Sequence, residues 1–143
     1  MTLWRQTEFA LAARARGVHK VTDEVLAALP WLGEFAVGIL HLHILHTSAS
    51  LALQENADPA VLRDLAAWLD RAVPEDAAYW THREEGPDDM PAHVKAMLTG
   101  PSLMLPIRDG RLALGTWQGI LLCEHRNHGG SRRLIATGSG AGR

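Results

Sequence analysis

One cysteine, one tyrosine and two phenylalanines are few for a chain of 143 residues. The lone Cys123 cannot close an internal disulfide, so nothing calls for an oxidising compartment. Neither charge sign is in excess. Fourteen Lys and Arg against sixteen Asp and Glu leave a formal net charge of −2, whereas a dedicated nucleic-acid binder carries a basic surplus. No apolar run reaches the roughly 18–20 residues of a membrane span. The first residues, Met1-Thr2-Leu3-Trp4-Arg5-Gln6, lack the basic-then-apolar order of a signal peptide. The expectation is a cytoplasmic chain that engages neither nucleic acid nor membrane. What is present is 47% hydrophobic and 21% charged residues, enough apolar material for a core and too much for disorder. The length suits one domain.

Histidine is the residue in surplus, with eight copies, and five Trp dominate the aromatics. Leu3, Arg5, Thr7, Phe9 and Leu11 share one parity and predict a strand, with Arg14–Gly17 as its turn. Thr22-Asp23-Glu24 followed by good helix formers predicts a helix with a Thr cap, ended by Pro30. The run from Glu34 to Leu45 reads as a buried strand, with His41 and His43 expected in the core or at an interface. Asp58-Pro59 opens an amphipathic helix that carries Val61, Leu62, Leu65, Trp68, Leu69 and Ala72 on one face. An acidic loop occupies 75–91, and a short helix follows over 92–98. The last third is strand signal, with a hairpin turn at Asp109-Gly110. The order predicts an α+β fold: a compact single-domain sandwich of mainly antiparallel sheet layered with a few helices. The domain spans residues 1–137, and 138–143, a Gly/Ser-rich stretch, is expected to be a disordered tail.

Three constellations offer chemistry. The first, His46-Thr47-Ser48-Ala49-Ser50 with Asn56 and Asp58 downstream, places hydroxyls near a helix start, a pattern suited to an anion. Its plainer reading is a strand edge followed by a capped helix. The second joins His82 and His93 across a loop holding Glu84, Glu85, Asp88 and Asp89. Imidazoles and carboxylates together suit a divalent zinc, manganese or magnesium ion. His46 completes a three-His set, while Glu85, Asp88 or Asp89 could replace it or serve as general base. A solvated acidic loop with two unrelated histidines is the plainer alternative. The third is Gly115-Thr116-Trp117-Gln118, which either floors a cleft with Trp117 and Gln118 or packs Trp117 into the core. His19, His125 and His128 sit near turns and read as surface residues. Glu124, Arg126, Arg132 and Arg133 could pair with one another or with phosphate.

The segments HTSASLALQENADP, HREEGPDDMPAHVK and GTWQGILLCEHRNHGGSRR, in that order and spacing, resemble the YjbQ family, whose members are named secondary thiamine-phosphate synthases. The resemblance is strongest from His46 to Arg133 and covers most of the chain. It implies a homotrimer with a site near the subunit boundary. The family's recurrent polar positions fall on His46, Ser48, Asn56, Asp58, His82, Glu85, Asp88, Asp89, His93 and Lys95, then on Gln118, Glu124, His125, Arg126 and Arg133. The implied reaction joins hydroxymethylpyrimidine diphosphate to a thiazole phosphate and releases pyrophosphate. Metal would come from His82, His93 and His46, and anion donors from Ser48, Ser50, Lys95, Arg126 and Arg133. Trp117 would wall the pyrimidine. Acids between Glu84 and Asp89 oppose phosphorylated substrates unless metal neutralises them, so the synthase reaction could be a side activity. The alternatives are a metal-dependent hydrolase of a small phosphorylated substrate and a trimer that binds a small ligand without turnover.

Overall fold

The computed structural model describes residues 1–143, and every strand pairing in it is antiparallel. In chain order the elements are β1 (Thr2–Leu11), β2 (Gly17–Lys20), α1 (Thr22–Ala27), β3 (Phe35–Ile44), β4 (Ala49–Glu55), α2 (Pro59–Ala72), α3 (Asp89–Thr99), β5 (Ser102–Arg108), β6 (Arg111–Leu112), β7 (Gln118–Glu124) and β8 (Arg132–Gly142). A five-stranded sheet runs β1-β8-β3-β5-β6, and a three-stranded sheet runs β2-β7-β4. Their facing sides enclose one core. Leu40, Leu42 and Ile44 of β3, Leu105 and Ile107 of β5 and Leu134 of β8 meet Leu51 of β4 and Ile120 and Leu122 of β7. Burying these side chains removes apolar surface from water at about 25 cal/mol per Å2, the main force holding the two sheets together. The architecture is the α+β sandwich with few helices that the sequence predicts.

Alternation decides what the sheet presents outward. Since β3 buries Leu40, Leu42 and Ile44, the intervening His41 and His43 lie on the outer face, half-buried and stacked with ring centroids 6.1 Å apart. The expectation that they enter the core of this chain is corrected: an apolar run here has only one buried face. Trp117 is likewise not core, at 66% exposed in the turn before β7.

Three boundaries differ from expectation. Residues 138–142, read as a disordered tail, finish β8 and pair with both β1 and β3. Glycine here marks close packing. A Cβ on Gly138 would lie 2.6 Å from the Trp31 ring, and one on Gly140 would lie 2.1 Å from the Val37 carbonyl oxygen. Helix α3 begins at Asp89 rather than Ala92, drawing an acid from the expected loop into the first turn. Thr22 does not cap α1. Its hydroxyl accepts from the Ile120 N–H at 2.9 Å, stitching the helix start to β7. The Asp109-Gly110 turn is a two-residue hairpin with φ of 52° and 76°, the positive values that favour glycine and aspartate.

Candidate metal centre and its surroundings

Helix α3 places Asp89 and His93 one turn apart on the same face. The preceding loop brings His82 over that face, and the ligand atoms of His82, Asp89 and His93 all lie within 4.8 Å of one another. Asp89 Oδ2 is 2.6 Å from His82 Nε2 and 3.1 Å from His93 Nε2. Its other oxygen, Oδ1, accepts from Arg126 Nη1 at 2.6 Å. Asp89 is 2% exposed, whereas both imidazoles reach solvent. Burial works against the Asp89 charge. The hydrogen bond with His82, the contact with Glu85 and the Arg126 cation outweigh it and hold the carboxyl below its ordinary value.

Proton accounting at His93 bears on what the cluster can hold. Its Nδ1 lies 3.1 Å from the Thr47 carbonyl oxygen, which only accepts, so Nδ1 carries the proton. Its Nε2 then faces a second pure acceptor, the Asp89 carboxylate. A neutral imidazole has one proton and cannot serve both. The contact between Nε2 and Oδ2 is one that a bound cation would satisfy. A backbone carbonyl on Nδ1 is also the usual way to aim a metal-ligating Nε2. Tetrahedral zinc bonded at about 2.0–2.1 Å separates its ligand atoms by roughly 3.3 Å, about 0.2 Å more than the His93–Asp89 contact and about 0.7 Å more than the His82–Asp89 contact. The exposed His82 ring has room to make up that difference.

His46 is not part of this cluster. Its Nε2 accepts from the Arg133 backbone N–H at 2.8 Å, and burial, with the positive charge of Arg132 adding to it, lowers its pKa. The three-His set is thus corrected to two histidines and Asp89, one of the carboxylates the sequence offered as a replacement. Glu85 stands beside the cluster, exposed, with Oε2 4.0 Å from His82 Nε2.

The expected anion donors are mostly engaged with carboxylates. Arg126 donates from Nε to Asp88, from Nη1 to Asp89 and from Nη2 to the Glu85 carbonyl, which fastens the acidic loop to the β7–β8 turn. Asp88 also accepts from the Asn127 N–H at 2.9 Å. Lys95 is buried, with Nζ 2.6 Å from Asp70 Oδ1. Arg133 pairs with Glu8 at 2.5 Å on the surface. Ser50 is fully buried, its hydroxyl shared between Thr99 and His125 Nε2. Ser48 contributes its carbonyl, which accepts from Arg132 and the His125 N–H. Asn56 Nδ2 donates to the Thr116 and Gln118 carbonyls, and Asp58 caps α2 through the Ala60 N–H at 2.9 Å. Gln118 Oε1 accepts from Gly115 N–H within its own turn. Asn56, Asp58 and Gln118 thus each have hydrogen-bond partners within the chain.

Burial at the end of β7 escaped the sequence reading. Glu124 and Arg132 form a fully buried bidentate pair at 2.7 and 2.5 Å. His125, expected at the surface, is 3% exposed. Burial, with the Lys95 and Arg132 charges adding to it, pushes its pKa down to about 4. Burial also raises the neighbouring Cys123 thiol to about 11. The signal was positional: β7 is the middle strand of its sheet and is buried from Gly119 to Glu124, so strand parity gives no exposed side near its end.

A two-sheet antiparallel sandwich with a two-histidine, one-carboxylate cluster on a helix flank is the class of protein these features define. The chain belongs to the YjbQ-like family, described as UPF0047 protein YjbQ-like, whose pattern matches residues 7–141. UPF0047 protein YjbQ of Salmonella typhimurium is 52% identical over 94% of this chain and 97% of its own length. UPF0047 protein YugU of Bacillus subtilis is 36% identical over 73% and 76%. Among solved structures, a YjbQ/UPF0047 family protein from Clostridium acetobutylicum superposes with a TM-score of 0.79 at 32% identity, over 91% of this chain and 97% of that one. A YbjQ-like protein from Sulfolobus solfataricus gives 0.85 at 22% identity over 98% and 99%, a likeness of fold alone. No helix is long and apolar enough to cross a membrane.

Proposed function

We propose that the protein is a cytoplasmic, metal-dependent enzyme acting on small phosphorylated molecules, with thiamine-phosphate synthesis as its reaction. The observation that supports this reading is the convergence of His82, Asp89 and His93, whose ligand atoms all lie within 4.8 Å of one another. His82, Asp89 and His93 would hold the ion. A divalent cation there would supply the positive charge that a departing diphosphate needs. That supply matters because Lys95, Arg126, Arg132 and Arg133 are each paired with a carboxylate. The chain's own residues do the holding. Asp89 sets both imidazoles, Arg126 fixes Asp89, and Thr47 sets the His93 tautomer. The partly buried Ser48 lies one residue beyond Thr47, on the same segment.

One observation favours a second reading, hydrolysis. The Glu85 carboxylate is exposed, 4.0 Å from His82 Nε2, a position from which it could take a proton from attacking water. Incubating purified protein and manganese with both thiamine precursors separates the two. Thiamine phosphate and pyrophosphate appearing together, and lost in His82→Ala and His93→Ala, support synthesis. Consumption of either precursor alone, with phosphate release and no joined product, supports the hydrolase instead. Affinity without turnover would leave the ligand-binding reading. We also assign the outer face of the five-stranded sheet to contacts in a homotrimer. Trp4, Val37, Ile39 and Met104 are exposed there around the stacked His41 and His43, an apolar patch of the kind that marks subunit contacts.

A further inference from the structure

Away from the histidine cluster, the β5–β6 hairpin gathers cations that form no ion pair within the chain. Arg108 and Arg111 flank the hairpin turn, and Arg143 reaches the same place from the end of β8. All are exposed and none takes part in an ion pair, although the chain pairs Lys95, Arg126, Arg132 and Arg133 with acids elsewhere. They line an open cleft of about 540 Å3, and Asp109 is the one acid on its wall. A Cβ on Gly110 would lie 2.9 Å from Arg143 Nη1, so the guanidinium rests directly over the turn.

The cleft does not end at the arginines. A second hollow of about 530 Å3 shares Gly110, Arg111, Leu112 and Leu114 with it and continues beneath α1 along Leu26 and Leu29. A cationic hollow and an apolar one thus adjoin along a shared wall, with Arg111 in both. Guanidinium groups are planar donors matched to phosphate and carboxylate oxygens. Apolar walls with a few convergent polar groups are the usual make-up of a small-molecule site.

We propose that this cleft binds a small amphiphilic anion: a phosphate or carboxylate head on the arginines and an apolar body against Leu26, Leu112 and Leu114. The occupant is a free small molecule, since three guanidiniums gathered over one turn match a single anionic head better than a lipid surface. The site uses none of the groups of the histidine cluster.

The test is calorimetric titration of the full chain with n-octyl phosphate, inorganic phosphate and octanol. Octyl phosphate binding about tenfold or more tighter than either half-molecule is the expected result, because only it fills both ends. Arg108→Glu combined with Arg111→Glu should weaken it by about tenfold or more. Leu26→Gln should weaken octyl phosphate while leaving inorganic phosphate unchanged. Both arginines are exposed, so the far-ultraviolet dichroism should match the parent; if the double charge reversal misfolds, Arg108→Gln with Arg111→Gln replaces it. His82→Ala should bind octyl phosphate as the parent does, which separates this site from the one proposed above. No binding by the parent, affinity unmoved by the arginine changes, or sedimentation with phosphatidylglycerol vesicles without binding of free octyl phosphate would each overturn the proposal.

Discussion

The guanidinium of Arg126 holds Asp89 Oδ1 at 2.6 Å and so leaves Oδ2 facing two imidazoles. One arginine from the β7–β8 turn thereby sets the orientation of a carboxylate on α3. Through Asp88 and the Glu85 carbonyl it also anchors the loop that carries His82. Arg126→Gln should lower stability by about 2–4 kcal/mol, since Asp89 and Asp88 would stay largely buried without their cation. Denaturant unfolding measures the loss. Weaker binding of zinc or manganese should accompany it.

The buried pair of Glu124 and Arg132 makes a sharper stability case. Arg132→Met leaves Glu124, at 1% exposed, without its partner. The expected cost is about 3–5 kcal/mol. Replacing both residues by apolar ones of similar size should cost much less, because no orphaned charge remains. A double-mutant cycle followed by chemical denaturation gives the coupling.

His125 dictates a pH dependence. Its pKa in the folded chain is about 4, below its ordinary value of 6.5, with burial the leading cause. Protonation therefore favours the unfolded chain. The stability it protects is fully present above about pH 6.5 and is lost as pH falls towards 4. The full difference corresponds to roughly 3 kcal/mol. Asp88 and Asp89 are held below their ordinary values, so their losses fall in a lower window, beginning near pH 4. Midpoints of urea unfolding between pH 7 and 4.5 should fall for the parent and fall less for His125→Gln, in which the lowered His46 still contributes.

The end of the chain offers a test of the fold itself. Gly140→Ala sets a Cβ against the Val37 carbonyl, and Gly138→Ala sets one against the Trp31 ring. Each should lower stability by about 1–3 kcal/mol, the usual range for overpacking. In thermal melts both variants should unfold several degrees below the parent. A disordered tail would tolerate either change without effect.

Much of this fold is legible in the sequence because period and punctuation agree there. The odd parity of Leu3 to Leu11 matches β1, Asp58-Pro59 opens α2, and Asp109-Gly110 turns the hairpin. Glycine misled at 138 and 140. Its two uses, loose chain and tight backbone approach, look alike until the facing Trp31 and Val37 are known. At the candidate site, His82 and His93 were readable as a pair of ligand types flanking an acidic loop. The third member was not, because choosing among His46, Glu85, Asp88 and Asp89 requires knowing that α3 starts at Asp89 and stacks it one turn below His93. The pairing of the basic residues with carboxylates was hidden for a related reason. Whether Lys95 or Arg126 is free depends on Asp70, Asp88 and Asp89 arriving from distant segments.

The central claim is that His82, Asp89 and His93 hold a divalent ion, and elemental mass spectrometry of untagged protein purified without chelator tests it most directly. About one zinc or manganese per chain is expected in the parent. It should fall to background in His82→Ala, Asp89→Asn and His93→Ala and persist in His46→Ala. Metal-free parent protein that takes up no ion on reconstitution, or metal content unchanged in the first three variants, would contradict it.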